Sequence, residues 1–300
     1  MPITSSSFAK ALYPGVNAWY GKGYNDYPVE YTDLFDKYTS KRAWEEDVSV
    51  SSFGLAQVKG EGAPIAYDTE MQGFIDRYTH VEYGLGFMIT RNMVDDDLYD
   101  IVGERKAKGL AKSMRQTKET VAANVYNRAF NSSYTFGDGQ QLIDNDHPNV
   151  AGGTWSNRPT TYADLSESAL EQAVIDIAKF TDDRGLKMSL RIKSLIIPVD
   201  LDFEAAKILQ TEFEVGTANN TRNIVRSRFG MKPVINHYLT DTDAWFIRTD
   251  ADHGMKYFER RADSFDMDND FDTDNAKFKA TGRYSFGASE KRSLYGSQGA

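Results

Sequence analysis

The sequence predicts an α+β fold, on three observations. Thr79, Val81, Tyr83, Leu85, Phe87 and Ile89 alternate with Tyr78, His80, Glu82, Gly84, Gly86, Met88 and Thr90, the period of two that marks a strand. Directly after it, Val94, Leu98, Ile101, Leu110, Met114, Val121, Val125 and Ala129 recur at spacings of three, four or their sums, which is a helical stripe. From residue 136 onward helical and strand patterns intermix, and the last fifty residues return to strand character.

Taken in order, residues 1–40 are turn-rich (Pro14-Gly15, Gly21-Lys22-Gly23, Pro28) yet carry Phe8, Leu12, Tyr13, Trp19, Tyr20, Tyr24, Tyr27, Leu34 and Phe35. Disordered tails are poor in aromatics. The segment therefore reads as an irregular arm that orders against a surface, either a neighbour's or its own domain's. Residues 44–72 read as a long hairpin or extended loop. Asp47–Ser51 alternates, Lys59-Gly60-Glu61-Gly62-Ala63-Pro64 supplies turn residues, and a second limb resumes near Ile65 and Tyr67. This piece has too few large apolar residues for a core of its own. The strand at 78–90 would span about 40 Å at ~3.3 Å per residue, long against the usual ~5–6 residues.

The helix from Val94 to about Phe130 opens on Asp95, Asp96 and Asp97, where the positive end of the helix dipole favours acids. Gly103 and Gly109 each cost about 1 kcal/mol relative to Ala, which leaves room for a bend or break there. Its roughly 37 residues would reach about 55 Å, against about 50 Å for the diameter of a compact chain of this length. A long strand back to back with so long a helix predicts a flattened or elongated subunit. Residues 131–162 form a polar Gly/Asn/Asp-rich connection. A helix with a capping box at Ser168 and Glu171 follows, its apolar face being Leu170, Ala173, Val174, Ile177 and Phe180, and Asp182-Asp183-Arg184-Gly185 ends it. Leu195–Pro198 reads as a buried strand. Asp200 reads as the cap of a helix with Leu201, Phe203, Ala206 and Leu209, and short strands fall near Val234–Leu239 and Ala244–Ile247. Met255–Phe258 alternates, an acidic stretch interrupts, and Lys277–Phe286 alternates again.

Composition narrows the chemistry. The chain has 300 residues, 35 basic against 44 acidic, a net charge of −9 and no cysteine. Disulfides, thiolate metal sites and thiol nucleophiles are excluded. An acidic balance argues against general nucleic-acid binding unless basic residues are segregated. No apolar run reaches the ~18 residues of a membrane span, and the first residues lack the pattern of a secretory signal. His80, His147, His237 and His253 show no metal-ligand spacing; His147 reads as a structural loop residue and His80 as a surface residue. The alternating Asp266, Asp268, Asp270, Asp272 and Asp274 resemble the start of a calcium loop, but Phe271 and Lys277 stand where the sixth-position Gly and twelfth-position Glu belong. Alternating Asp also suits a strand edge guarded against unwanted pairing. Nucleotide-binding glycine motifs and the nucleophile elbow are absent. The sequence gives no catalytic residue, metal site or cofactor. The basic run Arg105–Lys118 suits either a solvated face or phosphate contact.

The order of segments resembles the major capsid proteins of tailed bacteriophages, the Hong-Kong-97 type of shell protein. Residues 44–72 correspond to the extended loop and 95–130 to the spine helix. Leu142–Pro148 followed by Gly152-Gly153-Thr154-Trp155-Ser156-Asn157 is similar to a loop common in the Mu-like branch of these proteins. Leu195–Pro198 with its following helix, and Tyr238–Asp241 before Ala244-Trp245-Phe246, fit the axial domain. The resemblance implies an arm (1–40), an extended loop (41–72), a peripheral domain (73–135 and 255–290), an axial domain (136–254) and a C-terminal tail (291–300). It implies a structural protein, not an enzyme. Copies would form pentamers and hexamers that close into an icosahedral shell around double-stranded DNA, in a virion assembled in the host cytoplasm. The implied partners are further copies, scaffold, portal and decoration proteins, and packaged DNA held without sequence specificity; no membrane is implied. Candidate subunit contacts are Trp19, Tyr20, Trp44, Val48, Val50, Phe53, Lys59 and Tyr67. Arg105, Lys108, Lys112 and Arg115 are candidates for an inward basic face. Some members link a loop Lys to a neighbour's Asn, but Lys59 alone does not predict a crosslink. No long charged helical leader is present, which implies a separate scaffold or none. The alternatives are a tail or decoration component, or a hydrolase with a mobile loop at 131–162.

Overall fold

A computed structural model of the chain describes residues 8–90, 92–93, 99–213, 222–269 and 275–300. Its strands are β1 (Asp36–Thr39), β2 (Trp44–Val50), β3 (Gln72–Thr79), β4 (Val81–Ile89), the two-residue β5 (His147–Pro148) and β6 (Thr154–Trp155), β7 (Ile192–Pro198), β8 (Lys232–Asn236), β9 (Trp245–Thr249), β10 (Met255–Asn269), β11 (Ala276–Ala288) and β12 (Leu294–Ser297). Its helices are α1 (Phe8–Asn25), α2 (Tyr31–Leu34), α3 (Tyr99–Asn127), α4 (Glu167–Ala178), α5 (Asp202–Gln210) and α6 (Ile224–Phe229). One four-stranded sheet runs β1-β10-β11-β4 and carries α3 on one face; the other runs β12-β9-β7-β8. β2 and β3 form a separate ribbon. A shared core joins the sheets through Tyr126, Leu142, Ile143, Ile196, Phe246, Tyr257 and Tyr284.

The N-terminal segment is a helix, not an irregular arm. Val16 and Tyr20, one turn apart, are buried in one cluster with Leu110, Ala111, Met114 and Phe265. Gly23 looks like a breaker in sequence but serves close approach: a Cβ there would stand 3.1 Å from Lys108 Cα on α3. Burial of the aromatic face outweighs the propensity lost at Pro14 and the glycines, because helices in proteins draw most of their stability from packing. α2 is capped from afar, since Glu119 on α3 accepts hydrogen bonds from the Glu30 and Tyr31 amides at 3.2 and 2.9 Å.

α3 has 29 residues, about 43 Å at 1.5 Å rise. It continues through Gly103 and Gly109 without a break. Leu110 and Met114 are buried as their spacing predicts, together with Ala107, Ala111, Ala122, Ala123 and Tyr126. Val94, Leu98 and Asp95–Asp97 lie outside the described residues.

The single strand expected over 78–90 is two strands that meet at His80. β3 pairs antiparallel with β2, and β4 with β11. His80 is therefore not a surface residue: it is 4% exposed, with Nδ1 2.9 Å from Ser285 Oγ. Burial, helped by Arg283, lowers its pKa. The acidic stretch does not interrupt β10, which runs 15 residues. Asp266 and Asp268 face Lys279 and Lys277 across the ladder, and opposite charges in register stabilise a sheet. The aspartates at 270, 272 and 274 lie outside the described residues.

In the second half, α4 is capped by Ser166, which accepts from the Ala169 amide at 3.2 Å, two residues before the expected cap at Ser168; the helix ends at Ala178. α5 starts at Asp202 without a side-chain cap and turns Ala205, Ile208 and Leu209 inward, leaving Phe203 exposed. β7 is buried at Leu195, Ile196 and Ile197. The end of the chain is no loose tail, because β12 pairs with β9 and completes the second sheet. The 131–162 connection is pinned by buried Leu142, Ile143, His147 and Asn157. Asn157 donates to the Leu142 carbonyl at 2.8 Å and accepts from the Asp144 amide at 2.8 Å. His147 donates to Asp138 at 2.8 Å and stacks on Trp155 at 4.7 Å, a structural role.

Candidate assembly surface

The β2–β3 ribbon is built inside out. In β2, Trp44, Val48 and Val50 face solvent while Glu45, Asp47 and Ser49 face the body. In β3, Ile75, the partner of Val48, also faces out, while Asp76 and Tyr78 are buried. A ribbon in water ordinarily turns its apolar side to the body, so this one presents a face that needs covering from outside the subunit.

What faces inward explains how the inversion is held. Asp47 and Asp76 are direct cross-strand partners. Two like charges so placed repel. Each is answered by a lysine from the body: Lys256 on β10 holds Asp47, and Lys291 holds Asp76 at 2.6 Å. Burial works to raise the Asp47 carboxyl, but hydrogen bonds from Lys256 and Ser289 outweigh it and hold its pKa below the usual range. At Asp76 burial prevails over the nearby Lys291 and raises the pKa. The Gly137 amide also donates to Asp76, at 2.7 Å. A Cβ at Gly137 would stand 2.2 Å from the Ile75 carbonyl oxygen, so only glycine fits there.

Regular pairing stops at Val50 and Gln72. Ser51 adds one last rung: its amide donates to the Met71 carbonyl, and its hydroxyl accepts from the Met71 amide, each at 2.9 Å. Beyond it the chain makes an extended loop without regular structure, and the second limb regains strand form at Gln72 rather than near Ile65. Leu55 is 80% exposed, Tyr67 95%, and Phe53, Val58 and Ile65 are exposed too. Lys59 is exposed near the tip.

The sequence-derived contact candidates thus divide. Trp44, Val48, Val50, Phe53, Lys59 and Tyr67 share this ribbon and loop, with Trp44 stacked under the Arg77 guanidinium at 4.2 Å. Tyr20 does not belong with them: it is buried in its own subunit, 4.7 Å from the Phe265 ring, and Trp19 is half-buried beside it. The basic candidates divide as well. Arg105 and Lys112 are exposed, and Lys108 pairs with Glu104 at 2.6 Å. Arg115 is buried, stacked over the Tyr24 ring at 4.0 Å and donating to the Tyr24 carbonyl at 3.3 Å, so it is not part of a basic face.

Sequence reasoning missed Leu55, Val58, Ile65 and Ile75 as surface residues, and Val81, Leu85 and Met88 along β4, the free edge of its sheet. Around the second sheet it missed Val199, Phe203, Phe213 and Ile224, all exposed. A signal existed in β2, where the polar Glu45, Asp47 and Ser49 alternate with a face carrying Trp44, Val48 and Val50. Among the described residues no group of three or more His, Asp or Glu is placed to hold a metal ion.

An inside-out ribbon, an uncovered apolar loop, a long helix laid on a long hairpin and a second mixed sheet with its helices make the arrangement expected of a shell subunit. Comparison with known proteins gives the same class. A family model described as phage capsid protein matches residues 75–297, and the chain belongs to that family. It is a virion structural protein, the major protein of a phage shell. Solved structures with the same fold include the capsid of an empty GTA particle (13% identity, TM-score 0.55, covering 89% of this chain and 88% of that one). The fold is also shared with a chain from Mycobacterium phage Che8 (13%, TM-score 0.51, 90% of each). A third is the virus-like particle from Pyrococcus furiosus (10%, TM-score 0.51, 93% and 96%). No curated protein sequence matches the chain.

Proposed function

We propose that copies of this chain associate as pentamers and hexamers, and that these close into an icosahedral shell around double-stranded DNA. The observation that carries the reading is the ribbon and loop over 44–71, whose apolar side chains stand exposed on the isolated subunit. Laid across an adjacent copy, Val48, Val50, Phe53, Leu55, Val58 and Tyr67 would be removed from water. Apolar burial of this kind drives association at roughly 25 cal/mol per Å² before the ordering costs. Support for rings of five comes from the GTA capsid of the same fold, whose structure was computed with C5 symmetry. The exposed Val199, Phe203, Phe213 and Ile224 would be the candidates for contacts between copies around the ring centre. Arg105 and Lys112 on the long helix would face the packaged DNA. Scaffold, portal and decoration proteins would be the further partners, and assembly would take place in the host cytoplasm before the virion is released.

The test is electron microscopy of the purified full-length protein together with its sedimentation profile. Rings of five and six subunits or closed shells are the expected outcome. A uniform monomer or dimer across all salt and protein concentrations would overturn the reading.

A further inference from the structure

Past Ser51 and Met71 the two limbs of the extended loop have no ladder to hold them together or to aim them. One side chain, from the turn after α4, holds the returning limb directly and the outgoing limb through Asp68. Arg184 lies in the turn after α4, where its own amide donates to Asp182 Oδ1 at 2.9 Å, so the turn is fixed before the side chain reaches out. Its Nη1 donates to Asp68 Oδ2 at 2.6 Å, and its Nη2 donates to the Thr69 carbonyl, both on the returning limb. Asp68 Oδ2 also accepts from the Gly54 amide of the outgoing limb at 2.8 Å, and Oδ1 from the Thr69 amide at 2.8 Å. Gly54 is seated on this pair: a Cβ there would stand 3.3 Å from Asp68 Oδ2 and 3.5 Å from Arg184 Nη1.

We infer that Arg184 is the positioning residue of the extended loop, bolting both limbs to the subunit's own second domain through Asp68 so that the loop is aimed before a neighbour arrives. This rests on the reading of the loop as an assembly contact. The physical reason is entropic. A loop that must be ordered on contact loses backbone entropy for every residue fixed, and a loop already aimed has met part of that cost. The planar guanidinium suits the task, since one group donates to a carboxylate and a carbonyl at once; a lysine amine has no such fork. The Gly54 amide and Arg184, acting first and second in strength, hold the Asp68 pKa at about 2, so the carboxylate stays charged at any ordinary pH.

The experiment compares full-length wild type with R184Q, D68N, the R184Q/D68N pair, R184K and an L55S/V58S variant. Three quantities are measured: the protein concentration at half-assembly by light scattering, the rate of protease nicking within 51–71 in unassembled subunits, and amide exchange at Gly54. R184Q and D68N are each expected to raise the half-assembly concentration on the order of fivefold to tenfold, to speed nicking and to strip protection from the Gly54 amide. The pair is expected to be no worse than R184Q alone, because both changes break one contact. R184K should fall between R184Q and wild type. Additive effects in the pair, or wild-type nicking and exchange in R184Q, would overturn the inference. If L55S/V58S assembles at the wild-type concentration, the loop is not an assembly contact and the underlying reading fails, whatever R184Q does to nicking. If L55S/V58S is impaired while R184Q behaves as wild type, that reading stands and the bolt alone is refuted.

Discussion

Lys118 holds the contact between the first helix, the long helix and the long hairpin. It pairs with Asp263 on β10 at 2.8 Å, and both side chains are almost wholly buried. The Tyr24 hydroxyl of α1 donates to the same carboxylate, and the Lys118 ammonium lies 5.0 Å from the Tyr284 ring. A buried pair contributes little net stability, because desolvation offsets the attraction, but removing one partner strands the other charge. K118M is therefore expected to lower the unfolding free energy of unassembled subunits by about 3–5 kcal/mol, and K118M/D263L by markedly less. Urea unfolding of the single and double variants measures both, and equal losses would show that the charges are not coupled. This pair was illegible in the sequence. Lys118 belongs to a run of basic residues, most of which would sit on a solvated face of an isolated helix. Only the arrival of α1 and β10 from distant parts of the chain decides which members of that run are buried. The same holds for Arg115, while Arg105 and Lys112 keep the exposure their spacing suggests.

Among the elements, the long helix and strands β4, β7, β8, β9 and β11 were legible because their periodicity is local and enforced by burial, whereas β1 and β12 lay in segments that read as an arm and a tail. α1 was not, because Pro14, Gly15, Gly21 and Gly23 announce turns, and the helix exists through its fit to α3. The ribbon of β2 and β3 was half legible: its alternation marked strands, but which face would be covered depends on lysines 256 and 291, over two hundred residues away. The burial of Tyr20 makes the nature of α1 testable. Y20A is expected to cost about 3–5 kcal/mol in the stability of unassembled subunits, as aromatic-to-Ala changes in cores do. A Tyr20 that served an intersubunit contact would instead leave that stability unchanged and weaken only assembly. Urea unfolding of unassembled Y20A and wild type separates the two, and an unchanged midpoint would place α1 outside the core of its own subunit.

For the whole molecule, the proposed enclosure of DNA is a question of charge. The chain carries a net −9, and a shell of many copies multiplies that charge. Of the four basic residues suggested for an inward face, one is buried and one is paired with Glu104, which leaves Arg105 and Lys112 exposed. Two exposed cations from that candidate face on an acidic background would release few counterions, so affinity for DNA is expected to be weak and to vary only gently with salt. A closed shell does not need such affinity, because confinement replaces binding. The full-length subunit, held unassembled, is accordingly expected to bind random-sequence double-stranded DNA no more tightly than about 10⁻⁵ M near physiological salt. R105A/K112A should leave shell formation intact. Fluorescence anisotropy with a labelled duplex across a salt series measures the first, and sedimentation of the double variant the second. Tight binding with a steep salt slope, or failure of the variant to form shells, would mean that DNA is gripped by the protein and helps to build the shell rather than being enclosed by it.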